Sequence, residues 1–160
     1  MSVPANAATA ITKIDPHWKA LMECAATEVF SMMAGMELQA YEEMPAEIRG
    51  DQTAMVGLAG ALCGMITIRC SSATATKLAG ALLGVDDPSM TIDAMGELAN
   101  MVAGNFKSKI SQVVDHCMLS IPTVISGEAY TLQVMPPTEG FHLAFRLDDQ
   151  PIWFSLVVHS

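Results

Sequence analysis

Apolar positions recur at helical spacing in two long stretches of the chain and alternate with polar ones through much of the rest. From Asp15, DPHWKALMECAATEVFSMMAG places Trp18, Leu21, Met22, Ala25, Val29, Met32 and Met33 along one helix face, with Asp15 as cap, Pro16 in the first turn and Gly35 as the stop. ELQAYEE, TAMVGLAG and GMITIRC then read as strands, with Pro45 and Gly50 in the first connection. The longest uncharged stretch, Ala54 to Ile68, falls short of the roughly 20 residues a membrane-spanning helix needs. Gly57, Gly60 and Gly64 interrupt it, so it predicts a buried hairpin.

SSATATKLAGALLG predicts a short helix, with Ser71 and Ser72 as caps and Gly84 as its end. Asp87 before Pro88 opens the longest helix, in which Ile92, Met95, Leu98, Ala99, Val102, Phe106, Ile110 and Val113 share a face over about 25 residues. Beyond it, CMLSIPTVISGE, AYTLQVMP, FHLAFRLD and PIWFSLVVH read as strands, with turns at Pro136, Pro137 and from Asp148 to Pro151. The two halves resemble each other. TEVFSMMAG (Thr27 to Gly35) can be laid over GELANMVAG (Gly96 to Gly104), which sets Glu28 against Glu97 and Ser31 against Asn100. The fold expected is α+β, with two long helices over an antiparallel sheet built from two similar halves.

Composition narrows the function. With 160 residues, 17.0 kDa and 51% hydrophobic residues, the chain suits one domain with one core, assigned to residues 15–160 after a loose tail over residues 1–14. MSVPANAATA has neither the charged start nor the apolar run of a signal peptide. A net charge of −9 opposes nucleic acid and acidic membranes as partners. Cys24, Cys63, Cys70 and Cys117 form no C-x-x-C pair and have no histidine at ligand spacing, which predicts reduced, buried thiols in a cytosol and no bound metal. His17, His116, His142 and His159 have no paired nucleophile and read as ordinary surface or core residues. The 13 methionines suit adaptable packing, with a minority left to line a partner surface.

The chemistry concentrates on the long helix. At about 100° per residue, Asp93, Glu97, Asn100, Gly104 and Lys107 fall on one stripe. A solvated helix face is the ordinary account of such a stripe. Three features point elsewhere. Ala94 and Gly96 leave nothing bulky beside Glu97 and Asn100, Gly104 costs about 1 kcal/mol against alanine inside a helix, and the face is sparse in long charged side chains. Such a surface suits close approach by another protein.

The spacing runs on from Asp93, Glu97 and Asn100 to Pro122. With DAMGELANMVAG and the surrounding layout, it resembles the CheX branch of the CheC/CheX/FliY phosphatases of bacterial chemotaxis, over about residues 15–158. A single Glu and Asn motif beside a degenerate first half points to CheX over CheC. The resemblance implies a phosphatase acting on the phosphoaspartate of a CheY-type response regulator. Asn100 would orient the attacking water and Glu97 would pair with the regulator's lysine, with Asp93, Gly96, Gly104 and Pro122 as supporting or partner-facing positions. It implies a cytoplasmic homodimer with no cofactor of its own, the Mg2+ being supplied by the regulator. The competing expectation is a non-catalytic module that binds regulators or flagellar-switch proteins through the same helix.

Overall fold

The computed structural model describes residues 10–41, 43, 50–85, 87–136 and 138–159; residues 1–9 of the expected tail and the turn residues Pro45 and Pro137 lie outside them. Three helices form where the apolar periodicity places them. The first, α1, spans Trp18–Ala34 and ends on Gly35 at φ 62°, a left-handed conformation that glycine adopts without a Cβ penalty. Asp15 accepts from the His17 N–H at 2.8 Å, so it closes the turn ahead of the helix and is not its N-cap. Helix α2, Ser72–Leu83, is capped by Ser71, whose hydroxyl accepts from the Thr74 N–H at 3.1 Å, and it ends on Gly84. Ser72 does something else: its hydroxyl and N–H both bind the Asp51 carboxylate, tying the helix to the start of a strand. A single 3-10 turn, Pro88–Met90, capped by Asp87, leads into α3, Thr91–Ile110.

The strands are β1 (Gln39–Ala40), β2 (Gln52–Gly60), β3 (Gly64–Cys70), β4 (Cys117–Leu119), β5 (Thr123–Ser126), β6 (Thr138–Leu147) and β7 (Gln150–His159). They form one antiparallel sheet in the order β1-β6-β7-β3-β2, with β4 and β5 both paired to the far edge of β2. That order is unchanged in reverse when β1 is exchanged with β4 and β5, β2 with β6, and β3 with β7. The expected two-fold resemblance of the halves is therefore present in the strand order, with α1 and α3 as corresponding helices and α2 as an addition to the first half.

The helices cover one face of the sheet. The core lies between them, from Met22, Val29 and Phe30 of α1 and Leu98, Val102 and Phe106 of α3 to Val56, Ile66, Ile68, Phe154 and Leu156 of the central strands. Trp18 meets Phe106 edge-on at 6.2 Å, and Phe30 meets Phe154 at 5.8 Å. Four apolar residues assigned to these faces from their spacing are exposed instead: Met32, Met33, Ile92 and Val113. Met33 and Ile92 sit in terminal turns of their helices, Met32 lies off the buried arc, and Val113 lies beyond the last residue of α3. Ile11 bridges Leu62 and, with Ile14, packs on the core, so residues 10–14 do not behave as loose tail.

One expected strand is missing. Ala129–Pro136 carries half-buried Tyr130, Leu132 and Val134 in alternation with exposed Thr131, Gln133 and Met135, yet it pairs with no described strand. It lies over the sheet face turned away from the helices, where Arg69 sits 4.6 Å from the Tyr130 ring and the Tyr130 hydroxyl bonds Thr53.

Candidate functional site

The stripe of α3 forms the outer face of the helix layer. Asp93, Glu97 and Asn100 are exposed, and Gly104 and Lys107 partly so, while Met95, Leu98, Ala99, Val102 and Phe106 on the opposite side are buried. Asp93 lies in the first turn, and Lys107 and Lys109 in the last, each charge being of the sign the helix dipole favours at that end. Ala94 and Gly96, taken from sequence as the open flank of the stripe, are buried. Open space lies instead at Gly104, where an added Cβ would meet nothing within 4 Å.

The two-fold relation explains why only one half offers free groups. Glu28, the counterpart of Glu97, receives hydrogen bonds from Asn105 Nδ2 at 3.1 Å and from the Lys109 ammonium at 3.1 Å, with Cys24 Sγ at 3.3 Å. The bonds from Lys109, Cys24 and Asn105, in that order, hold the Glu28 carboxyl below its ordinary range, and Glu28 in turn raises Lys109. Asn105 and Lys109 lie on α3 after Gly104, the counterpart of Gly35. Since α1 stops at Gly35, it has no helical residues to play the same part toward Glu97. Glu97 and Asn100 accordingly make no side-chain hydrogen bond or ion pair with another described residue, and stand one turn apart on an open surface.

Pro122 reaches the same helix from the edge of the sheet. Between the pairs Leu58↔Leu119 and Met55↔Thr123, two residues of β2, Val56 and Gly57, face three, Ser120, Ile121 and Pro122. This is the count of a β-bulge, and it is pinned: Ser120 N–H donates to the Gly57 carbonyl at 2.9 Å, and the Gly57 N–H donates to Ser120 Oγ at 2.8 Å. Pro122 then lies over Gly96, where an added Cβ would meet Pro122 Cγ and Val124 Cγ2 at 3.6 Å. Gly96 and Pro122 form a packing contact under the ridge, and Gly96 is covered.

Elsewhere the structure departs from expectation in one respect. Cys70 and Cys117 are buried, but Cys24 and Cys63 are exposed. Among the described residues no three His, Cys, Asp or Glu side chains come together as a metal-binding group, and no helix is long and apolar enough to cross a membrane. A cavity of about 900 Å³ opens beneath Glu128–Val134 on the far sheet face and includes no residue of the α3 stripe.

Comparison with known proteins gives a consistent family. A profile described as "Chemotaxis phosphatase CheX" matches residues 52–146, which takes in α3, the bulge and most of the sheet. The "CheY-P phosphatase CheX" of Thermotoga maritima is 32% identical over 85 residues, 51% of this chain and 55% of that protein, so the match spans about half the length of the curated relative. Among solved structures, the chemotaxis protein CheX from Vibrio vulnificus superposes with a TM-score of 0.81 at 20% identity, covering 92% of this chain and 100% of that one. The CheX–CheY–BeF3–Mg2+ complex from Borrelia burgdorferi gives 0.76 at 25% identity, again over 92% and 100%.

Proposed function

The chain belongs to the CheX family of chemotaxis phosphatases, and on that footing we propose that it hydrolyses the aspartyl phosphate of a CheY-type response regulator. Water attacks phosphorus, the bond from phosphorus to the aspartyl oxygen breaks, and inorganic phosphate and a free carboxylate result. An acyl phosphate passes through a loose transition state, so placing the water in line supplies most of what a catalyst can add. Asn100 has the means: its amide both donates and accepts and carries no charge, so it can hold water beside a phosphoryl group that would repel a carboxylate. Glu97, one turn away, pairs with the regulator's lysine in a contact that docking desolvates. The Mg2+ belongs to the regulator's phosphorylation site, where it offsets phosphoryl charge. Asp93 and the Gly96–Pro122 contact hold the helix that presents the two groups.

The observation that carries this reading is that Glu97 and Asn100 are exposed and bond no other side chain among the described residues, whereas the equivalent Glu28 is bound within the fold. The name of the Thermotoga relative and the regulator in the Borrelia complex support it. We place the protein in the cytoplasm, with its regulator. We also assign it a homodimeric state, as the family resemblance implies, and sedimentation of a monomer at micromolar concentration would refute that assignment.

The test follows phosphate loss from a phosphorylated CheY-type regulator. The native protein should accelerate it, and Asn100→Ala should lose about a hundredfold, the equivalent of about 2.7 kcal/mol of positioning. A native protein that leaves the unaided rate unchanged, while still binding the regulator with or without Asn100, would make this a docking module.

A further inference from the structure

The bulge at the edge of the sheet does more than seat Pro122 on Gly96. Ser120 is fixed at both ends, its Oγ accepting from the Gly57 N–H and donating to the Ile121 carbonyl at 2.8 Å, and Pro122 is fixed by its packing on α3. The residue between them, Ile121, is thereby held with 85% of its surface in water. A pinned bulge is a means of aiming one side chain, and a large aliphatic group aimed at solvent gives no stability to the isolated fold. On α3, Ile92 lies one turn before Gly96 on the side of the helix that meets Pro122, and it is 52% exposed. Asn100 lies one turn after Gly96, about 6 Å along the axis. The two isoleucines therefore adjoin the Gly96–Pro122 contact, one a turn away along α3 and one a residue away along the bulge, as an apolar shoulder on the flank of the Glu97 and Asn100 ridge opposite to Asn105 and Lys109.

We propose that Ile121 and Ile92 form the apolar, specificity-determining part of the surface that receives the regulator's phosphorylated receiver domain, flanking the polar groups that act on it. This rests on the phosphatase reading above, which supplies the occupant: a protein that brings its phosphoaspartate to Asn100 covers the ground beside Gly96 as well. The division of labour follows from the residue types. Glu97 and Asn100 supply charge pairing and hydrogen bonds, which fix register, while the two isoleucines supply apolar burial, which holds the complex and selects among receivers by shape. Neither isoleucine reaches the phosphoryl group, so both act on binding and not on the chemical step.

The experiment uses the full chain and a CheY-type receiver activated with BeF3− and Mg2+, with affinity read by titration and turnover read on the phosphorylated form. Ile121→Asp and Ile92→Ser should each weaken affinity and raise KM by about tenfold, the scale of uncovering one buried isoleucine, with kcat within about twofold of native. Asn100→Ala should retain affinity and lose kcat. Both isoleucines are exposed, so the melting temperature should not fall, and a native melting curve excludes misfolding as the cause. Native affinity and KM in both isoleucine variants, with Asn100→Ala inactive, would overturn the apolar shoulder and leave the phosphatase reading standing. A native protein that neither binds the activated receiver nor acts on it would remove that reading, and the shoulder with it.

Discussion

Gly104 is the position where stability and function should part. In the free protein it occupies an interior position of α3 with open space where a Cβ would project, so Gly104→Ala introduces no clash and gains the propensity difference, about 1 kcal/mol. For a chain of this length that raises the melting temperature by roughly 2–4 °C. Against a docked receiver the same methyl is an intrusion, because Gly104 lies one turn beyond Asn100 on the stripe, and overpacking of a close contact costs on the order of 1–3 kcal/mol. The variant should therefore be more stable and a worse phosphatase, with KM raised roughly tenfold and kcat changed less. Ser108→Ala is the control: it improves helix propensity on the exposed surface without adding bulk, and should stabilise slightly with native kinetics. Thermal melts and turnover on a phosphorylated CheY-type regulator measure both effects in one set of samples. A Gly104→Ala protein that is stabilised and keeps its native KM would show that no partner approaches α3 within a methyl's breadth of Gly104, and the docking geometry would have to shift toward the helix N-terminus.

Glu28→Gln should loosen the junction of α1 and α3 and lower the urea midpoint at neutral pH, since an amide cannot accept the ammonium of Lys109 as a carboxylate does. Because folding lowers the Glu28 pKa, its contribution is present above the unfolded value of 4.5 and is lost as pH falls through the folded one, so native and variant midpoints should converge in acid; a constant gap would contradict the assignment. A thiol reagent at neutral pH should label Cys24 and Cys63 in the folded protein and leave Cys70 intact, because burial, with the Asp51 charge nearby, pushes the Cys70 thiol up to about 12. Rapid labelling of Cys70 under native conditions would refute its burial.

Helix positions were legible because a 3.6-residue period leaves its mark in any window of a dozen residues, and the stops at Gly35 and Gly84 carry their own conformational signal. Periodicity does not tell whether the end of a helix is covered, and Met33 and Ile92, in terminal turns on the apolar faces, lie in water. Alternation from Tyr130 to Val134 likewise reports that one side of a segment is covered, not that a strand lies beside it to complete a ladder. The exposure of Glu97 and Asn100 on one side of α3 was legible from helical spacing. The bulge that raises Ile121 was not, because it depends on the register of β2 against two separate strands and on a serine hydroxyl standing in for a backbone partner.

The duplicated layout makes the asymmetry of the site a matter of where one helix ends. Gly35 and Gly104 occupy equivalent positions, but the first adopts a left-handed conformation and stops α1, while the second is carried through and α3 runs on to Ile110. That extension supplies Asn105 and Lys109, which turn Glu28 into a bond between the helices. The same length holds Glu97 and Asn100 in the middle of the helix and away from its fraying ends. One difference in termination thus does two things: it commits the first carboxylate to a bond between the helices and leaves the second exposed on the outer face of α3. Restoring Glu97 to internal pairing would require α1 to continue past Gly35, where the chain instead turns toward β1.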